Sequence, residues 1–388
     1  MQPINPMNTL GRLKDFGQSV WYDNIERAML GADGALQGMI AEDGLCGITS
    51  NPTIFEKAIA GSADYDQSLL ALLSQGVRPS GRDLFFALAI EDIQQAADLL
   101  LSVYKQSEGL DGYVSLEVSP DLAYDAEATI AEARRLVQRV NRPNLMVKVP
   151  ATREGVAAVE ALTAEGVNVN ATLLFSVKRY EEVARAYLSG LRQRHQRGLP
   201  VDTIASVASF FVSRVDAAVD RRLEEIACDA SPAQCAEIVK LQGKIAIANA
   251  KAAYQVYLRL SREEFSDLAA LGAMSQRLLW ASTGTKNPRY SDVLYVDALI
   301  GRNTVNTLPP ATYRAFRDHG TPSATLEQNG DDALAQLARL ADLGVDMEAV
   351  AQQLEDDGVK AFQTSFDNLL NAIEQKVDGL AHQRQASA

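Results

Sequence analysis

Short stretches rich in β-branched and aromatic residues recur along the chain, separated by longer stretches whose apolar residues fall three or four apart. The strand candidates are 19–23 (SVWYD), 45–51 (LCGITSN), 113–118 (YVSLEV), 145–152 (LMVKVPAT), 167–175 (VNVNATLLF), 205–211 (ASVASFF), 277–283 (RLLWAST) and 304–308 (TVNTL), eight in all. Between them the spacing predicts helices over 82–105, 125–140, 153–163, 178–193, 212–227 and 236–260, each with an apolar stripe opposite charged positions. Strands and helices alternating eight times over predict an α/β chain closed into a parallel (β/α)8, or TIM, barrel. No low-complexity linker divides the sequence, so residues 1–388 are expected to form one barrel domain, with 1–14 as an N-terminal extension. From 330 to 388 the pattern is helical without further strands, which predicts additional C-terminal helices packed on the barrel.

Alternation inside the strands says which side chains face inward, because successive residues point to opposite faces. Leu145, Val147 and Val149 oppose Met146 and Lys148; Val114, Leu116 and Val118 oppose Tyr113, Ser115 and Glu117. Val20 and Tyr22 oppose Trp21 and Asp23; Val167, Val169 and Ala171 oppose Asn168, Asn170 and Thr172. The face against the helices must be apolar, so the polar sets point into the barrel. Asp23, Asn51, Glu117, Lys148, Asn170, Thr172, Ser209 and Ser282 fall towards the C-terminal ends of their strands, where such barrels carry their active sites.

Charge and cysteine content narrow the possibilities. The 388-residue chain has a formal net charge of −13 and a pI near 4.8, which argues against nucleic acid or an anionic membrane as partner. An anionic substrate would need a local basic pocket. Three scattered cysteines, Cys46, Cys228 and Cys235, do not read as a disulfide framework, and the alternation places Cys46 towards the helices, as core. Three histidines far apart in sequence give no zinc pattern. Neither a signal peptide nor an apolar run of roughly 20 residues is evident. The expectation is a cytoplasmic enzyme without metal or cofactor; monomer and homodimer are both compatible with it.

Lysine inside a barrel is unusual, since it is almost never buried unpaired. Lys148 could form an internal ion pair with Glu117 or Asp23. Its place near the functional end of its strand, facing small polar groups, favours a second role: burial favours the neutral amine, a nucleophile towards carbonyl compounds. The resulting protonated imine is an electron sink for cleavage of a neighbouring carbon–carbon bond. Such chemistry needs proton movers, and Asp23 and Glu117 face the same space. Asn51, Asn170 and Ser209 could bind substrate hydroxyls or bridge strands as core polar groups. Arg214 and Lys286, each just beyond a strand, could bind phosphate or pair with local acids.

At this point the residues resemble a known family. DGLCGITSNPTIFEKAI (43–59) is similar to the first transaldolase signature, and NLMVKVPAT (144–152) to the second. VSLEVSP, NVNATLLFS, ASVASFFVSR, WASTGTKNP and NTVNTLPPAT resemble further transaldolase segments in the family's order, over about residues 15–315. The resemblance implies transfer of a dihydroxyacetone unit from sedoheptulose 7-phosphate to glyceraldehyde 3-phosphate, reversibly giving erythrose 4-phosphate and fructose 6-phosphate. It implies Lys148 as the Schiff-base residue and Asp23 as the proton carrier for the hydroxyl beside the cleaved bond. Glu117, with Thr172, would hold a catalytic water. Asn51, Asn170 and Ser209 would bind the dihydroxyacetone part, and Arg214 and Ser282 the phosphate. Shorter members carry Ser-Phe-Arg where this chain has Ser282-Thr283-Gly284-Thr285-Lys286, so Lys286 is the candidate second phosphate ligand. Fructose 6-phosphate aldolases share the fold and lysine, but carry tyrosine at Phe211 and glutamine at Glu117; both residues here favour transfer over simple cleavage.

Overall fold

A computed structural model describes residues 8–74 and 79–386. Eight parallel strands close into a barrel in sequence order: β1 (Gln18–Tyr22), β2 (Gly47–Thr49), β3 (Tyr113–Glu117), β4 (Leu145–Pro150), β5 (Val169–Leu174), β6 (Ser206–Phe211), β7 (Arg277–Ala281) and β8 (Thr304–Leu308). Closure comes from β1 against β8, in register from Gln18↔Thr304 to Tyr22↔Leu308. Every expected strand is present, and the expected faces hold. Val114, Val147 and Val149 are fully buried, whereas Asn170 donates to Ser115 across the interior. Among the described residues no helix is long and apolar enough to cross a membrane.

Register sets the height of each polar side chain. Glu117 lies beside Lys148 in the β3–β4 pair, and Lys148 beside Asn170 in the β4–β5 pair. Glu117, Lys148 and Asn170 therefore share one layer of the barrel interior. β5 breaks the regularity: its register against β6 shifts between Ala171 and Leu174, and Leu173 sits at φ 62°, a left-handed conformation rare for a residue with a Cβ. The bulge re-aims the end of the strand beside Thr172.

Two expectations need correction. The stretch 236–260 is two helices, Pro232–Leu241 and Ile245–Glu263. The apolar spacing continues through the break, but Gly243 adopts φ 70° and a Cβ there would meet the Tyr290 ring at 2.7 Å. The helix after β6, Ser213–Ala227, fixes that break. Its Asp220 accepts from Gly243 N at 3.1 Å, and its Asp216 accepts from Ala246 N at 2.7 Å and from the Tyr295 hydroxyl at 2.9 Å. Cys46, expected as core against the helices, instead lies half-buried at the N-terminal end of the barrel. Its thiol donates to Val20 O at 3.3 Å, beside Ser19, Asp111 and Arg277. Of the expected N-terminal extension, residues 1–7 lie outside the described residues; Gly11–Phe16 form a 3-10 helix that buries Leu13.

Burial pushes the Asp216 carboxyl up to about 7, although its two hydrogen bonds and the Ile245 amide oppose the rise. The folded state therefore holds this proton more tightly than the unfolded chain. Stability from this group falls as pH rises from the ordinary carboxylate range towards 7, by at most ~1.4 kcal/mol per pH unit. Asp216→Asn keeps an acceptor for Ala246 N and should remove the slope. In urea unfolding, the variant is expected to gain on the wild type between pH 5 and pH 8; a constant difference would show that Asp216 does not titrate there.

Beyond the barrel the chain forms Gly330–Asp342 and a 40-residue C-terminal helix, Met347–Ala386. Val350, Val359, Phe362, Phe366, Leu369, Ile373 and Val377 are its buried side, at the three- and four-residue spacing of one helical face. That face packs mainly on Pro52–Ala60, the helix after β2, and also on Gly81–Gln106 and β5. Lys376 pairs with Asp66, the Thr53 and Ser365 hydroxyls lie 2.8 Å apart, and Arg82 sits over the Phe366 ring at 5.5 Å.

Candidate active site

Lys148 occupies the centre of the barrel's C-terminal end, its side chain only 5% exposed. Its Nζ donates to Ser50 O at 3.0 Å and lies 3.3 Å from Glu117 Oε2. The ion pair weighed from sequence is thus present. It leaves the acid under-used, because both buried Glu117 oxygens lack a hydrogen bond of good geometry. Burial raises the Glu117 carboxyl, with Lys148 the main opposing influence.

Asp23 follows β1 directly, its backbone N–H donating to Leu308 O at 2.9 Å. Its carboxylate accepts from Thr49 Oγ1 at 2.7 Å, and Thr49 in turn meets Thr307 at 2.6 Å. Enclosure at the barrel mouth raises this carboxyl too, against the pull of Lys148, the Thr49 hydrogen bond, Arg214 and Lys286. Two acids with raised proton affinity therefore flank one amine.

Above this layer opens a cavity of about 370 Å³. Asp23, Asn51, Lys148, Thr172, Ser209, Phe211, Arg214, Ser282 and Lys286, all singled out from sequence, line it. Glu117 and Asn170 are buried beside Lys148 and do not line the cavity. Asn170 is committed on both sides: it donates to Ser115 Oγ at 3.1 Å and accepts from Ser209 Oγ at 2.6 Å. Asn51 caps the helix after β2, its Oδ1 accepting from Ile54 N at 3.0 Å, which leaves its amide nitrogen for the cavity. Thr172 Oγ1 is buried without a partner.

The cavity is also lined by basic side chains. Arg214, in the first turn of the helix after β6, has its guanidinium 5.2 Å from the Phe211 ring centroid, and Phe211 rests on Phe175 at 5.3 Å. Ser282 holds φ 54°, with its hydroxyl 3.0 Å from that of Ser213. Lys286 and, from the helix after β2, Lys57 also line the cavity. Among the described residues none of the three cations has an acid within ion-pair distance, whereas Lys148 and many surface arginines are paired. An acidic protein that keeps three cations unpaired in one cavity has the local basic pocket an anionic ligand requires.

Sequence reasoning missed Thr49, Lys57, Thr307 and Phe362 as cavity residues. Strand alternation could have found Thr49, which shares the inward face of Asn51. Lys57 sits two turns into the following helix, and Phe362 belongs to the distant C-terminal helix; neither carries a local signal.

Comparison with known proteins adds an independent line. The family model for transaldolase/fructose-6-phosphate aldolase matches residues 20–373. A transaldolase of Thiobacillus denitrificans is 52% identical over 95% of this chain and 100% of its own. Transaldolase 2 of Nostoc punctiforme is 45% identical over 96% of this chain and 99% of its own. A transaldolase of Neisseria gonorrhoeae is 46% identical over 94% of this chain and 99% of its own. By fold, by the order of its motifs and by these matches, the chain belongs to the transaldolase/fructose-6-phosphate aldolase family.

Proposed function

We propose that the chain is a transaldolase, moving a dihydroxyacetone unit between sedoheptulose 7-phosphate and glyceraldehyde 3-phosphate through a Schiff base on Lys148. The observation that carries the reading is one buried amine, 3.3 Å from Glu117, at the floor of a cavity that also holds Asp23 and three unpaired cations. The relatives compared, named transaldolase, are 45–52% identical over nearly the whole chain, which favours transfer over simple aldol cleavage.

The steps follow from the residues. The deprotonated Lys148 amine attacks the ketose carbonyl, and the carbinolamine loses water to give a protonated imine. Asp23 takes the proton of the hydroxyl beside the scissile bond. That bond's electron pair moves into the imine, leaving an enamine on Lys148 and freeing the aldose. The enamine then attacks the acceptor aldehyde, Asp23 returns its proton, and hydrolysis releases the new ketose. Glu117 and Thr172 both have buried oxygens without a hydrogen-bond partner; a water between them would satisfy both and serve imine formation and hydrolysis. Asn51 and Ser209 would hold the dihydroxyacetone hydroxyls, with Asn170 orienting Ser209. Arg214, Ser282 and Lys286 would hold phosphate.

Borohydride reduction in the presence of fructose 6-phosphate tests the reading. The expected product is a dihydroxyacetone-sized adduct on the peptide containing Lys148, located by mass spectrometry. An adduct on another lysine, or none, would refute the mechanism.

A further inference from the structure

The C-terminal helix touches β5, the helix after β2, the helix after β6 and the turn after β3, all at the end of the barrel where Lys148 sits. Two of its residues reach the site. Phe362, 4% exposed, lines the catalytic cavity. One turn earlier, Gly358 is buried. A Cβ there would lie 3.0 Å from Leu173 Cδ2 and 3.6 Å from Arg214 Nη1.

This glycine stands inside a long helix, where glycine is the weakest helix former after proline. Gly358 has no positive φ to explain it. What it provides is space, and the space lies between two features of the site. One is Leu173, held left-handed at φ 62° beside Thr172. The other is the Arg214 guanidinium, which has no carboxylate partner among the described residues and rests on Phe211. A side chain at 358 would press on both.

We propose that Gly358 is a specificity-determining position: the C-terminal helix forms the outer wall of the substrate cavity, and the missing side chain leaves Arg214 free to meet the substrate's phosphate. Phe362 supplies the apolar part of the same wall. The inference rests on the reading of Arg214 as a phosphate ligand, and it concerns selection of phosphorylated substrates, not the covalent chemistry.

The test uses the full chain carrying Gly358→Ala or Gly358→Leu. Gly358→Leu is expected to raise KM for fructose 6-phosphate by about tenfold, the loss of one charge-assisted hydrogen bond, and Gly358→Ala by a smaller factor in the same direction. The control is free dihydroxyacetone, which carries no phosphate: its borohydride-trapped adduct on Lys148 should form at the wild-type rate in both variants. A matched loss with dihydroxyacetone, or unchanged KM for fructose 6-phosphate in both folded variants, would overturn the proposal. Should the leucine variant fail to dock the helix, the alanine variant still decides, since it adds one methyl group. Absence of any wild-type adduct would instead strike the Schiff-base reading.

Discussion

Lys148→Arg is expected to be folded and inert, with turnover reduced roughly 10⁴-fold or more. Arginine keeps a positive charge near Glu117 and can still donate towards Ser50 O, the two contacts that hold the lysine. It stays protonated and has no free electron pair to offer a carbonyl. The variant therefore separates the two roles weighed for this residue. If Lys148 served only as the partner of Glu117, arginine would retain much of the activity. Steady-state turnover with fructose 6-phosphate and an acceptor aldehyde, together with a thermal melt, distinguishes the cases. A melt near the wild type with lost turnover is the expected pair of results; substantial turnover would remove Lys148 as nucleophile.

The second large effect belongs to Asp23. Asp23→Asn should lower kcat by about 10²–10⁴-fold, the usual contribution of a positioned general base. In the proposed mechanism imine formation does not need this carboxylate, whereas bond cleavage does. Borohydride should therefore trap the uncleaved six-carbon sugar phosphate on Lys148, in place of the three-carbon adduct. A three-carbon adduct accumulating at the wild-type rate would show that Asp23 does not move the critical proton. The same substitution carries a stability signature. Burial raises the Asp23 carboxyl despite Lys148 and the Thr49 hydrogen bond, so its ionised form costs folding free energy as pH rises above the ordinary carboxylate range. Asparagine removes that cost, and the variant should melt no lower than the wild type at neutral pH.

Much of this site was legible because a parallel barrel turns sequence into geometry. Period-two alternation placed Lys148, Glu117 and Asp23 on the inward face, and the position of each within its strand gave its height. The observed pairing of Glu117 with Lys148 and of Lys148 with Asn170 follows from those positions. The cations of the cavity were readable in kind, since Arg214 and Lys286 fall within a few residues of strand ends. Three features were not legible. Asn170 is occupied by Ser115 and Ser209, a matter of which neighbours lie across the barrel. The break at 242–244 depends on carboxylates from Asp216 and Asp220, contributed by another helix. Phe362 meets the cavity only through packing between segments far apart in the chain. Each depends on non-local contacts, which local patterns do not encode.

Those long separations bear on how the molecule is made. A chain leaves the ribosome N-terminus first, and domains generally fold as units during synthesis. The bond from Gln18 to Thr304 joins residues 286 positions apart, and the one between Thr53 and Ser365 spans 312. Until β8 emerges, β1 is an open sheet edge, a surface prone to pairing with other chains. Until the helix Met347–Ala386 emerges, Lys148 faces a cavity without the wall that Phe362 supplies. The cavity around Lys148 is thus completed only once residues 347–386 have been made, and contacts of such range fold slowly. An interrupted chain would carry all of the proposed catalytic residues and still lack the enclosure in which they work.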